Sequence, residues 1–359
     1  MARASTQVQE AAPEVDSIEG LPLPRERHTL IGQADAEATL LDAYRSGRIH
    51  HGWLLGGPKG VGKATLAFRF ARFVLANPDP ASAAVRAARD LSVDPASPVA
   101  RRVASGAHAD LLALRRPWDE KNKRFKTELP VDEVRRTVGF FGSTAAEGGW
   151  RIAIVDPADD MNAAAANALL KILEEPPARS LFLVVSHQPG RLLPTIRSRC
   201  RRLGLQPLSE ETVVEGLRGL GFAERTDAST MAAAARIAEG SLRRAILMIE
   251  SDGVALHRRI DAIMARLPTV DLRELHKLAD EVAGRGADEA FETAVDFFQA
   301  QAVARARKAA AAGEGGRAAA WAEAHRTVAR DIATVDALNL DRRAALLSLV
   351  RTLVEAARY

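Results

Sequence analysis

Trp53-Leu54-Leu55-Gly56-Gly57-Pro58-Lys59-Gly60-Val61-Gly62-Lys63-Ala64-Thr65 is the stretch whose reading decides the fold. A short apolar run ends in two glycines, and a glycine-rich turn follows. Residues 64–76 then continue with apolar side chains at helical spacing. Strand, tight loop and helix in that order form the setting of a phosphate-binding P-loop. Glycines let backbone N–H groups turn inward around phosphate oxygens. The helix N-terminus adds partial positive charge. Lys63 is placed to reach the β- and γ-phosphates. Gly57, Gly60, Gly62, Lys63 and Thr65 are the candidate nucleotide-binding residues here.

One position departs from that pattern. The lysine of a P-loop is followed by Ser or Thr, whose hydroxyl binds Mg²⁺. Here the place holds Ala64, which has no oxygen. Thr65 comes one residue later, and a helix turns its side chain by about 100 degrees. The metal therefore loses one protein ligand.

Further along, residues 110–114, 151–156 and 181–185 read as strands. Helical patterns over 131–141 and 162–175 lie between them. The second helix stops at Pro176-Pro177, where a donor is lost and the preceding residue is pushed out of helical geometry. Near-continuous apolar strands separated by helices predict an α/β domain with a parallel sheet covered on both faces. Asp156 ends its strand where a carboxylate would support Mg²⁺. The water-orienting carboxylate expected next is absent, because the next residue is Pro157. Two losses, one metal ligand and one acceptor, both argue against hydrolysis by this chain.

After Pro207 the pattern changes to three short helices up to Glu250, and from Asp252 an Ala-, Arg- and Leu-rich helical part follows. Gly313-Glu314-Gly315-Gly316 breaks it once. The expected organisation is a flexible tail over 1–18, an α/β nucleotide-binding domain over 19–206, a helical lid over 207–252 and a helical domain over 253–359. Residues 77–107 carry no firm period and read as inserted helices or a loop.

Bulk properties bound the rest. At 359 residues the chain is too long for one core. It is 47% hydrophobic and 27% charged, an ordinary soluble balance, with no run near the roughly 18 apolar residues of a membrane span. The single cysteine, Cys200, makes neither an intrachain disulfide nor a cysteine-rich zinc site. It reads as a packed small residue, and a reducing cytoplasm is expected. A net charge of +4 and a pI of about 9.4 are compatible with nearby nucleic acid.

Four motifs then occur in order. They are Gly32-Gln33, His50-His51-Gly52-Trp53-Leu54, Asn167-Ala168-Leu169-Leu170-Lys171-Ile172-Leu173-Glu174-Glu175-Pro176-Pro177, and Pro194-Thr195-Ile196-Arg197-Ser198-Arg199-Cys200. With the P-loop between the second and third, the chain resembles the AAA+ clamp-loader subunits of bacterial DNA polymerase III over about residues 20–250. The helical C-terminal part matches in character only. The resemblance implies an AAA+ α/β domain, a three-helix lid and an all-α oligomerisation domain. It implies a five-subunit ring with ATP sites between neighbours.

Arg199, in Ser-Arg-Cys, would be an arginine finger for the next subunit's site. Ser186 falls at the sensor 1 position and Arg243 at the sensor 2 position. The implied partners are gamma/tau motor subunits, delta, the sliding clamp and primer-template DNA. No polymerase active site is implied in this chain. Retaining the finger while losing the hydrolytic residues is the pattern of the family's delta-prime branch. An ATP-hydrolysing motor subunit and a non-replicative DNA-repair ATPase are the alternatives. Lys171 and the basic stretch 121–126 are candidates for DNA contact, and for the latter a solvated loop is the expectation.

Overall fold

The computed structural model describes residues 13–15, 17–142, 144–146, 149–284, 287–338 and 340–359. The chain divides into two compact units, residues 1–225 with 238–244, and residues 226–237 with 245–359.

The first unit is an α/β domain. Its elements begin with α1 (Ala34–Arg45), β1 (Gly52–Gly56), α2 (Lys63–Ala76), α3 (Ala83–Ala87), α4 (Pro98–Ala104) and β2 (Leu111–Leu114). There follow β3 (Trp118–Asp119), β4 (Arg124–Phe125), α5 (Val131–Gly142), β5 (Arg151–Val155), α6 (Ala163–Glu174) and β6 (Ser180–Ser186). The unit continues through α7 (Pro194–Arg199), β7 (Arg201–Gly204) and α8 (Glu210–Gly219). The sheet is wholly parallel, in the order β2-β5-β6-β1-β7. The strand that feeds the glycine loop therefore lies between the two latest strands of the sheet. In open sheets of this kind ligands bind beyond the carboxyl ends of the strands.

The strands are apolar throughout because both faces are covered. Alternate side chains point to opposite faces. Trp53, Leu55, Ile152, Ile154, Leu183 and Val185 pack with α1 and α2 on one face. Leu54, Leu114, Ala153, Val155, Phe182 and Val184 pack with α5, α6 and α7 on the other. Each Val, Leu, Ile or Phe among them contributes about 1.5–3 kcal/mol when fully buried. Helix α6 starts at Asn162, whose side chain accepts the Ala165 N–H at 2.9 Å, and ends just before Pro176. Helix α2 ends at Asn77, whose side-chain and backbone N–H groups both donate to the Phe73 carbonyl, ahead of Pro78.

Two arginines of α2 are structural. Arg69 donates to Glu37 of α1 at 3.0 Å, and Arg72 donates to the carbonyls of Arg25 and Arg27. The segment 77–107 holds the short helices α3 and α4, each capped by a serine.

The basic stretch 121–126 is solvated, exposed at every residue but Phe125, and holds the turn and the second strand of a hairpin. It belongs to the β3–β4 hairpin, closed by the Asp119 carboxylate, which accepts the N–H groups of Lys121 and Asn122, and by a Trp118–Phe125 ring contact at 5.0 Å. Of the tail expected over 1–18, residues 1–12 and 16 lie outside the described residues. Within it Val15 is buried, and Glu14 pairs with Arg25 and Arg115.

The second unit is all-α. It comprises α9 (Ala228–Ile237), the later part of α10 (Leu242–Glu250), α11 (Gly253–Arg266), α12 (Leu272–Val282), α13 (Asp288–Ala311), α14 (Gly315–Leu338) and α15 (Arg342–Ala356). Phe291, Phe298, Trp321, Leu346 and Val350 are buried in it, and the Arg305 guanidinium lies 5.2 Å from the Trp321 ring centroid. Gly313, at φ 76°, takes the left-handed conformation that ends α13. No helix of the described residues is long and apolar enough to cross a membrane.

Candidate functional site

Parallel register brings the candidate residues to one edge of the sheet. Gly56 of β1 stands beside Ser186 of β6, and Val155 of β5 stands beside Leu114 of β2. Gly57–Gly62, Asp156, Ser186 and Arg115 therefore all leave the sheet at its carboxyl edge.

The loop is tightly held. A side chain on Gly60, at φ 83°, would meet Ser241 Oγ at 2.2 Å and Arg243 Cβ at 2.7 Å. Arg243, the sensor 2 candidate, meets the loop through its backbone N–H, 3.4 Å from the Gly60 carbonyl. Gln33 ties the loop to the segment just after β7, donating to the carbonyls of Val61 at 3.2 Å and Gln206 at 2.7 Å. Lys63 opens α2 and is buried. Its ammonium turns back on the loop, donating to the carbonyls of Gly57 at 2.7 Å and Pro58 at 2.5 Å. Burial lowers its pKa to about 8, an effect that Asp156 and Asp159 partly offset. Ala64 and Thr65 follow in the first turn of the helix.

The acidic residues across the edge are engaged. Asp156 pairs with Arg115 at 2.9 Å. Asp159 accepts the Ser186 hydroxyl at 3.0 Å and the backbone N–H groups of His187 and Gln188 at 2.7 and 2.9 Å. Asp160 pairs with Arg116 at 2.8 Å. Beside them the His187 pKa is lowered by burial and by the Lys63 charge. These residues do not fit a magnesium site. Ala64 offers no oxygen, one Asp156 oxygen holds a guanidinium, and both Asp159 oxygens accept protein hydrogens.

Arg199 lies elsewhere. It ends α7, and its carbonyl lies 3.2 Å from where a Cβ on Gly52 would stand. Gly52 begins β1 and the phosphate loop follows its other end, so at roughly 3.3 Å per residue the two are about 16 Å apart. The Arg199 guanidinium is partly exposed, paired with Glu174 at 2.7 Å and donating to the Thr195 carbonyl at 3.1 Å. Cys200 is buried against Gly52, and burial pushes its thiol up to about 12, which makes it inert. Lys171 is exposed on α6.

Sequence reasoning passed over Arg115, Glu14 and Glu174, and over Asp159 as the tether of residues 186–188. A signal for the first was present. Arg115-Arg116 directly follows an apolar strand, and Asp156, Asp159 and Asp160 directly follow another.

Comparison with known proteins gives a consistent picture. The family model for DNA polymerase III, delta subunit, matches residues 32–209. The chain is 41% identical over 150 residues to DNA polymerase III subunit delta-prime of Pseudomonas aeruginosa, covering 42% of this chain and 41% of the relative. It is 32% identical over 214 residues to the delta-prime subunit of Escherichia coli K12, covering 59% and 58%. It is 27% identical over 231 residues to the gamma subunit of Buchnera aphidicola from Acyrthosiphon pisum, covering 63% and 58%. The matched regions thus span about half the length of these relatives.

Proposed function

Because the family model for DNA polymerase III, delta subunit, matches residues 32–209, we propose that this chain works as a delta-prime subunit of a cytoplasmic clamp loader. In this role it assembles with gamma/tau motor subunits and delta to place a sliding clamp on primer-template DNA. It supplies Arg199 to a neighbour's ATP site and does not itself turn ATP over.

The observation that carries this reading is the position of Arg199. It stands at the opposite edge of the sheet from its own phosphate loop, about 16 Å away by strand length. An arginine side chain does not bridge that gap, so its guanidinium is available to a different polypeptide. A planar, permanently charged guanidinium suits γ-phosphate oxygens. The chain's own pocket supports the other half of the proposal, because it lacks the Ser/Thr hydroxyl at Ala64 and the carboxylate at Pro157. The test is turnover. The isolated chain is expected to hydrolyse ATP no faster than a Lys63→Met variant, while the reconstituted assembly depends on Arg199. Steady hydrolysis by the lone chain that Lys63→Met abolishes would make it a motor subunit instead.

Polyphosphate binding at the loop has an expected pH signature. Free Lys63 titrates at about 8, and a bound phosphate favours its ammonium and raises that value again. A group whose pKa rises on binding weakens binding as pH climbs from the free value to the bound one. Affinity for ADP in EDTA should therefore be flat between about pH 7, where the terminal phosphate is mostly ionised, and about pH 8, and fall by up to about tenfold per unit above that. Calorimetric titrations of the isolated chain check this. Affinity that stays level through about pH 9.5 would remove Lys63 from the phosphate site.

A further inference from the structure

We propose that the guanidinium of Arg115 stands in the electrostatic place of the divalent cation beside Asp156, making this nucleotide pocket a metal-free anion site. The inference concerns the chain's own pocket and is tested without partners, so it stands or falls separately from the role of Arg199.

The placement follows from strand register. Leu114 pairs with Val155, and the Asp156 N–H donates to the Leu114 carbonyl at 3.0 Å. The next residue on β2 is therefore set beside the next residue on β5, and those residues are Arg115 and Asp156. Their side chains are 15% and 13% exposed, so the pair is largely out of water, where charge interactions are strong. The guanidinium is held from three sides. It donates to Asp156 at 2.9 Å and to Glu14 at 3.1 Å, and its carbon lies 5.4 Å from the centroid of the Phe68 ring on α2. Phe68 sits little more than one turn beyond Lys63, so the cation is carried at the start of the helix that opens from the phosphate loop.

A metal ion at Asp156 would have to take a carboxylate from this guanidinium and then sit beside its positive charge. Neither Ala64 nor Asp159 offers an oxygen in compensation. The losses at Ala64 and Pro157 remove one metal ligand and one water-orienting carboxylate. Arg115 does something further, because it fills the vacated role with a cation that the chain carries itself. Arg115 then balances the Asp156 carboxylate without Mg²⁺, and the Lys63 ammonium is left as the positive group on the loop itself.

The test uses the full chain in four forms: wild type, Ala64→Ser, Arg115→Met and the double variant. Mn²⁺ serves as a paramagnetic stand-in for Mg²⁺ and ADP as the nucleotide. Wild type and Ala64→Ser are expected to bind ADP equally in EDTA and in Mn²⁺, with no nucleotide-dependent bound Mn²⁺ in electron paramagnetic resonance. The double variant is expected to bind one Mn²⁺ per chain with ADP. Its ADP affinity should rise roughly 10–100-fold with metal, the range over which groups beside a ligating carboxylate tune metal affinity. The single Arg115→Met variant should show the same gain in smaller measure. Metal-dependent ADP binding by wild type or by Ala64→Ser would overturn the proposal. So would a folded double variant that gains no Mn²⁺. Circular dichroism melting monitors folding. Should Arg115→Met unfold, Arg115→Gln keeps a donor for Asp156 without the charge and is read by the same outcomes.

Discussion

Replacing Arg199 by Ala is expected to slow ATP turnover at the neighbouring site of the reconstituted assembly by roughly 10³–10⁵-fold, the span measured for arginine fingers in GTPases. That corresponds to about 4–7 kcal/mol of transition-state stabilisation. Arg199→Lys should recover little of it, since an ammonium is a point charge and cannot grip two phosphate oxygens at once. The Glu174 pairing seen in the free chain does not compete with this effect. Arg199 and Glu174 are 34% and 48% exposed, and ion pairs that wet are worth about 0–1 kcal/mol. Swinging the guanidinium away from Glu174 therefore costs a few-fold at most. Accordingly Glu174→Gln should change assembly turnover by less than about fivefold. The measurement is steady-state phosphate release by assemblies built with each variant. An Arg199→Ala assembly that keeps full turnover would sink the proposed role.

The largest effect expected on the chain's own stability comes from Glu37→Ala. Glu37 and Arg69 are 14% and 6% exposed, so the pair lies mostly inside the first unit. One carboxylate oxygen accepts from Arg69 Nε at 3.0 Å and from the backbone N–H of Leu91 at 3.2 Å. Arg69 also donates to the His28 carbonyl. A single carboxylate thus joins α1, α2 and the segment after α3. Removing it leaves the Arg69 charge buried without its counter-ion, which typically costs about 3–5 kcal/mol. That is a large fraction of a stability of roughly 5–15 kcal/mol. Glu37→Leu combined with Arg69→Met should be far milder, because it removes both charges and retains apolar volume. Urea unfolding midpoints compare the variants. A loss below about 1 kcal/mol for Glu37→Ala would mean that Arg69 reaches water in solution.

Pro176-Pro177 ends α6 where the ring chemistry demands, the strands at 111–114 and 151–155 sit within the runs that suggested them, and the strand at 180–186 extends its run of 181–185 by one residue at each end. The hairpin at 118–125 was missed because its strands are two residues each, too short for a period to register. The same limit applies to α3 and α4, five and seven residues long, whose serine caps are visible only once the turns are known.

From its residues alone the chain already determines the glycine loop between a strand and a helix, the missing hydroxyl at Ala64 and the missing carboxylate at Pro157. Each of these is a local chemical fact that no packing can alter. Only the tertiary structure decides that Arg115 faces Asp156 across 41 residues, that Asp159 tethers Ser186 rather than standing free, and that Arg199 stands at the far edge of the sheet from Lys63. The reason is geometric. Which side chains meet at the carboxyl ends of parallel strands depends on strand order, and hydrophobic periodicity fixes the face a side chain takes without saying which strand lies beside it.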